Sequence, residues 1–193
     1  SGVEAHKNSI LSVGAVDLEH PERQFYEECR AWDGAHINDE ALAVCGFTRE
    51  QATDPKKQSE GELIRKFILW AQESDDHTFA GQNPSFDRDF LKYAAERAGH
   101  TDWPFAHRTI DSHSLAWMHM VKRGLTPPVD PEKHRSALNL DAVLLYCGIP
   151  EEPKPHNALT GAKSHAEVIF RLLYDKKLLP EFEGYEIPFV KSS

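Results

Sequence analysis

The chain has 193 residues, 40% hydrophobic and 27% charged, a composition that excludes a disordered or fibrous protein and fits one globular domain with a sizeable core. The formal net charge of −9 argues against a protein that coats nucleic acid through a broad cationic surface, but it does not exclude a local binding site. No long apolar run and no signal-peptide pattern is readable, which predicts a cytoplasmic or nuclear protein, and we take the cytoplasm as the prediction.

The cysteines give no sign of a metal site. Cys29, Cys45 and Cys147 are an odd number, lack Cys-x-x-Cys spacing and lie among apolar residues. We therefore expect reduced thiols in or near the core.

The chain is predicted to begin with a β-hairpin. The segment "SILSVGAVDLE" reads as a strand, "EHPER" as a turn and "QFYEECRA" as the returning strand. Asp17 and Glu19 spell Asp-x-Glu, but they enter the hairpin turn, so we interpret them as turn residues. The segments "NDEALAVCGF" and "SEGELIRKFILWAQES" then predict two helices.

A short strand followed by a helix is predicted around residues 78–99. "HTFAGQN" reads as the strand, and "FDRDFLKYAAERAG" as a helix that ends at Gly99. Asn83, Phe86 and Asp87 lie where the two elements meet. The structural alternative for Asp87 is a side chain that caps the helix.

The second half of the chain predicts three more helices. "RTIDSHSLAWMHMVKRG" has a short extended entry and then a helix, a proline-rich loop follows, and "ALNLDAVLLYCGI" is a compact helix. The last helix lies in "HNALTGAKSHAEVIFRLLYDKK", directly after His156. Its apolar stripe has small residues at its start, which predicts a close approach to the sheet; the stripe is Ala158, Ala162, Ala166, Ile169 and Leu173.

In their order and spacing, these segments resemble the DnaQ-like, RNase H-fold superfamily of 3′–5′ exonucleases, in its DEDDh branch, over residues 2 to about 173. The second motif of that family is similar to "GQNPSFDRDFL" and the third to "HNALTGAKSHAEVIFRL". "TIDSHSLA" and "SALNLDAVLLYCGI" resemble the segments between the motifs. The resemblance implies an α/β fold with an RNase H-like mixed sheet flanked by helices, in a single exonuclease-like domain over residues 1–193.

The same resemblance implies a metal-dependent 3′–5′ exonuclease that hydrolyses phosphodiester bonds at the 3′ end of single-stranded nucleic acid. Such a site uses two divalent cations, Mg²⁺ or Mn²⁺, which carboxylates hold and which stabilise the charge that develops on the phosphate oxygens. Asp87 is implied as a metal ligand, and His156 as the general base that takes a proton from the attacking water.

Five residues are implied in nucleic-acid binding. Ser1, Gly2 and Val3 align with the part of the first motif that approaches the terminal nucleotide, and glycine allows that approach. Asn83 and Phe86 would support the site from the second motif.

Two positions depart from the family pattern. The Asp-x-Glu pair of the first motif aligns before Ser1, so we expect that pair and its strand upstream of the sequence given. The third motif has an Asp five residues after its His, and here that position is Gly161. One alternative is therefore a degenerate nuclease-fold module for nucleic-acid binding or scaffolding, and another is an unrelated α/β domain in which "NPSFD" only caps a helix.

Overall fold

The computed structural model describes residues 1–190, in which short strands alternate with helices; the last three residues of the predicted domain, 191–193, lie outside the described residues. The strands are β1 (Ser12–Val16), β2 (Gln24–Glu28), β3 (Phe79–Gly81), β4 (Thr109–Asp111), β5 (Val129–Asp130) and β6 (Arg135–Ser136). The helices are α1 (Asp39–Val44), α2 (Arg49–Ala52), α3 (Glu60–Ala71), α4 (Pro84–Arg97), α5 (Ser112–Lys122), α6 (Leu140–Tyr146) and α7 (Ala158–Tyr174), followed by a short 3₁₀ helix (Pro180–Phe182).

The predicted hairpin is present. β1 and β2 pair in antiparallel fashion, with Ser12 opposite Glu28. At the turn, the Asp17 carboxylate accepts hydrogen bonds from the backbone N–H groups of Glu19 and His20, at 3.0 and 3.2 Å. These bonds confirm that Asp17 is a turn residue, because an Asp that bonds to the backbone two residues on is a common turn device.

The remaining strands form two further pairs. β3 and β4 are parallel, with Gly81 opposite Asp111, and β5 and β6 are a small antiparallel pair inside the predicted proline-rich loop. Strand directions are therefore mixed, as expected. Among residues 1–190 the hydrogen bonds divide the strands into these pairs, and the hairpin meets β3 through α7, which contacts both β1 and β3.

Two apolar clusters make up most of the core. The first lies between the hairpin, α3 and α4 and includes Val13, Phe25, Leu63, Phe67 and Leu91. The second lies between α5, α6 and α7 and includes Ala116, Val143, Leu144, Val168 and Leu172. Cys29 and Cys147 are buried free thiols, as expected, whereas Cys45 is exposed. Among the described helices, none combines the length and the apolar character needed to cross a membrane.

The start of α7 lies directly on β1. A Cβ atom added to Gly14 would lie 2.2 Å from the backbone carbonyl carbon and oxygen of Ala158, so only glycine permits this approach. The close contact that the small residues predicted is thus confirmed. At the other end of the helix the predicted stripe is wrong by one residue: Leu172 is buried and Leu173 is exposed, because the α5–α6 cluster packs on the Val168 side.

A buried ion pair fixes the second half of α7. Arg171 and Glu167 are fully buried, and their Nε and Oε1 atoms are 2.7 Å apart. The guanidinium also donates to the backbone carbonyls of Cys147 and Phe182, while Glu167 accepts from the backbone N–H of Leu179. Because both charges are surrounded by hydrogen bonds, the pair avoids the cost of an unpaired buried charge.

We expect Gly14→Ala to lower the free energy of unfolding by about 1–3 kcal/mol, because the new methyl group must push α7 away from β1. Gly184→Ala is the matched control, since no atom lies within 4 Å of the Cβ position there. Urea unfolding of both variants measures the difference. Equal stability of the two would contradict the close contact.

Candidate active site

Asp87 lies in the first turn of α4, directly after β3. The helix cap is Asn83, whose backbone is left-handed (φ 51°) and whose N–H donates to the Asp111 carboxylate at 3.3 Å. Pro84 occupies the first turn, where its missing N–H costs nothing. The alternative that Asp87 caps this helix is therefore wrong, because the capping position is occupied by Asn83.

The Asp87 carboxyl is an unusual acid. Although the residue as a whole is exposed, the protein around its carboxyl partly desolvates it, which raises the pKa to about 6 against a hydrogen bond from its own backbone N–H. Within residues 1–190 its carboxylate forms no ion pair. A carboxylate with a raised pKa and no charged partner is the kind of group found at functional sites.

His156 lies in the loop between α6 and α7, one residue before the helix cap. Asn157 caps α7 by accepting hydrogen bonds from the backbone N–H groups of Leu159 and Thr160. The backbone N–H of His156 donates to the carbonyl of Val44 at 3.1 Å, which ties the loop to the end of α1. The imidazole is partly exposed, so a water molecule can reach it.

Glu152 is the group that sequence reasoning missed. Its Oε2 atom lies 3.0 Å from Nδ1 of His156, and its side chain is only 6% exposed. Its oxygens are 3.4 and 3.7 Å from the position of a Cβ atom on Gly161, so this carboxylate lies beside the place where the resemblance implies an Asp. The available signal was an acid four residues before His156 combined with glycine at position 161.

His165 was also missed. It lies four residues after Gly161 on α7, and its Nδ1 is 3.0 Å from the position of a Cβ atom on Gly81 in β3. Burial lowers its pKa, and the nearby Glu152 carboxylate opposes that shift. The contact brings the face of α7 that holds Gly161 against the strand that leads to Asp87.

The first residues are held by the protein itself. The Ser1 hydroxyl donates to the carbonyl of His36 and accepts from the backbone N–H of Ser9, and the missing side chain of Gly2 leaves room for Asn8. Val3 differs, because 76% of its surface is exposed. The nucleic-acid role of Ser1, Gly2 and Val3 stays a prediction, with Val3 the accessible member.

Phe86 is the exposed aromatic residue next to Asp87. It is 43% exposed and packs against Phe90, with ring centroids 4.9 Å apart. An aromatic face held in this way is suited to stacking on a nucleobase.

Asp87 is the described residue that the resemblance implies as a metal ligand. By its chemistry, the Asp87 carboxylate fits a hard divalent cation. Across residues 1–190, however, no three His, Cys, Asp or Glu side chains come together as a cation-binding group. The role of Asp87 as a metal ligand therefore stays a prediction.

The fold is similar to that of a known nuclease. The crystal structure described as "the nuclease domain of 3'hExo, a DEDDh family member, bound to rAMP" matches with a TM-score of 0.61 and 17% sequence identity, covering 92% of this chain and 82% of that one. Scans against protein-family models and against curated proteins gave no match. The likeness confirms the predicted RNase H-like α/β fold.

We expect Gly161→Ala to raise the free energy of unfolding by up to about 1 kcal/mol, because its Cβ fits at van der Waals distance from Glu152 and alanine favours helices. Gly161→Asp should gain less, since a second carboxylate would share the space of Glu152. Urea unfolding at pH 7 measures both. An equal gain in the free energy of unfolding for Gly161→Asp and Gly161→Ala would contradict this crowding.

The stability difference between Asp87→Asn and the unsubstituted protein should favour the variant more at pH 8 than at pH 4. The folded-state pKa of about 6 lies above the ordinary value of 3.8, so the folded protein binds this proton more tightly and loses stability as the pH rises through that interval. Thermal unfolding of both proteins from about pH 4 to pH 8 checks the sign. A melting-temperature difference that does not change with pH would contradict the raised pKa.

Proposed function

We propose that the protein is a metal-dependent 3′–5′ exonuclease that hydrolyses phosphodiester bonds at the 3′ end of single-stranded nucleic acid. The observation that carries the proposal is the Asp87 carboxylate, which stands at the β3–α4 junction of a nuclease-type fold with a raised pKa and no ion-pair partner in the described part of the chain. The bound rAMP of the similar nuclease domain agrees with a nucleotide ligand.

His156 would act as the general base. It would take a proton from a water molecule that attacks the last phosphodiester, so that a new P–O bond forms as the bond to the preceding 3′ oxygen breaks and that oxygen leaves with a proton. The partly exposed imidazole allows such a water molecule to approach. When bound, Mg²⁺ or Mn²⁺ would supply stabilisation of the developing negative charge, and Asp87 would hold it.

The terminal nucleotide would be held beside Asp87. The exposed ring of Phe86 would stack on a base, and Asn83, whose side chain is not used as a helix cap, would be free to donate to the sugar or phosphate. Val3, and the backbone of Ser1 and Gly2, would close the site from the other side.

A second candidate is a nuclease-fold module that binds nucleic acid or acts as a scaffold without cleaving. Gly161 favours it, because this residue supplies no carboxylate at the position where the resemblance implies a fourth one. Binding without hydrolysis would identify this candidate.

We expect His156→Ala to lower the rate of 3′-end hydrolysis by roughly 10²–10⁴-fold, the usual contribution of a general base. Asp87→Asn should lower it at least as much. The measurement is the stepwise shortening of a 5′-labelled single-stranded oligonucleotide with Mg²⁺ or Mn²⁺. Glu96→Gln is the matched control, because it removes an exposed carboxylate from the same helix as Asp87.

The outcomes separate the two candidates. Hydrolysis that depends on His156 and Asp87 but not on Glu96 supports the exonuclease. No hydrolysis by the unsubstituted protein, together with oligonucleotide binding that Phe86→Ala weakens, would favour the binding module.

A further inference from the structure

Glu152 has no part in the function proposed above, although its buried carboxyl group contacts the proposed base. Its Oε2 atom is 3.0 Å from Nδ1 of His156, and only 6% of its side-chain surface is exposed. Within residues 1–190 its Oε1 atom is buried and has no hydrogen-bond partner. The imidazole is therefore the group on which this carboxylate acts.

The contact determines which ring nitrogen of His156 carries the proton. An ionised carboxylate can only accept hydrogen bonds, so Nδ1 must donate. In a neutral imidazole the other nitrogen, Nε2, is then the acceptor, which is the atom that can remove a proton from water. Without this bond the ring could rotate and could place its proton on Nε2.

We propose that Glu152 is a positioning residue, which fixes the ring orientation and the tautomer of His156 so that Nε2 is the basic atom. This inference rests on the proposed function of His156 as the general base. It extends that function by adding a residue that acts through His156.

Gly161 provides the space that this arrangement requires. The Glu152 oxygens lie 3.4 and 3.7 Å from the Cβ position on Gly161, so an acidic side chain there would compete with Glu152 for the same volume. His165 on the same helix is the other titratable group near this carboxylate, and burial keeps it towards its neutral form by lowering its pKa. The hydrogen-bond partner that the structure gives Glu152 is His156.

Two contacts that do not involve Glu152 also hold the loop. The backbone N–H of His156 bonds to the carbonyl of Val44, and Pro155 lies so close to Gly46 that an added Cβ there would be 2.7 Å from it. A substitution of Glu152 can therefore change the imidazole without releasing the loop.

The experiment uses the whole protein and the variants Glu152→Ala and Glu152→Gln, with Glu151→Ala as a matched control that removes the neighbouring exposed carboxylate. Nitrogen-15 NMR shifts of the His156 ring report its tautomer, and oligonucleotide hydrolysis gives kcat and KM separately. Thermal unfolding checks that each variant is folded.

We expect the Nδ1-protonated tautomer of His156 in the unsubstituted protein and in Glu151→Ala. Glu152→Ala should shift the ring towards the Nε2-protonated form and lower kcat roughly 10- to 100-fold with little change in KM, the usual size of such an effect when a group that orients a histidine is lost. Glu152→Gln should keep the tautomer, because its amide oxygen can still accept, and should recover part of kcat.

An unchanged His156 tautomer in Glu152→Ala would overturn the inference, and so would a changed tautomer with unchanged kcat; both results leave the exonuclease proposal standing. The absence of hydrolysis by the unsubstituted protein would overturn the exonuclease proposal itself. The NMR shifts distinguish these cases, because they are read without catalysis.

Discussion

The contact between the first turn of α7 and the bare backbone of β1 at Gly14 is the constraint on which the rest of the site depends. A Cβ atom on residue 14 would lie 2.2 Å from the Ala158 carbonyl, so no residue type other than glycine fits without moving the helix. The contact fixes the height of α7 above the hairpin. Because Asn157 and His156 directly precede that turn, it also fixes where the imidazole enters the site.

One face of α7 then carries the site across to the second pair of strands. Gly161 and His165 are four residues apart, so they lie on the same side of the helix. The first lies beside Glu152, and the second lies against Gly81. A single helix thus follows the His156 loop and contacts both the hairpin and the strand that leads to Asp87. Within residues 1–190 it joins two strand pairs that share no ladder hydrogen bonds.

Local patterns predicted what depends on local physics. The hairpin, the β3–α4 junction with Asp87, and the small residues at the start of α7 could all be read from alternation, turn residues and helical spacing. Glu152 was missed although it lies four residues before His156, because one of two adjacent acids in a loop reads as a solvated residue. His165 could not be read, because its contact with Gly81 arises from proximity across the fold. The prediction of Leu173 in place of Leu172 as the buried residue failed for the same reason. Which face of the end of α7 is buried depends on the packing of α5 and α6.

The buried Glu167–Arg171 pair makes the segment after α7 part of the support for the site. The carboxylate accepts from the backbone of Leu179, and the guanidinium donates to that of Phe182, so residues 178–182 close the shell around both charges. Proteolytic cleavage within this segment would leave a desolvated acid and base with too few partners, and the far end of α7 would have to open to water. The segment therefore helps to keep the C-terminal end of α7 closed, and an intact chain over residues 178–182 is part of what stabilises that helix.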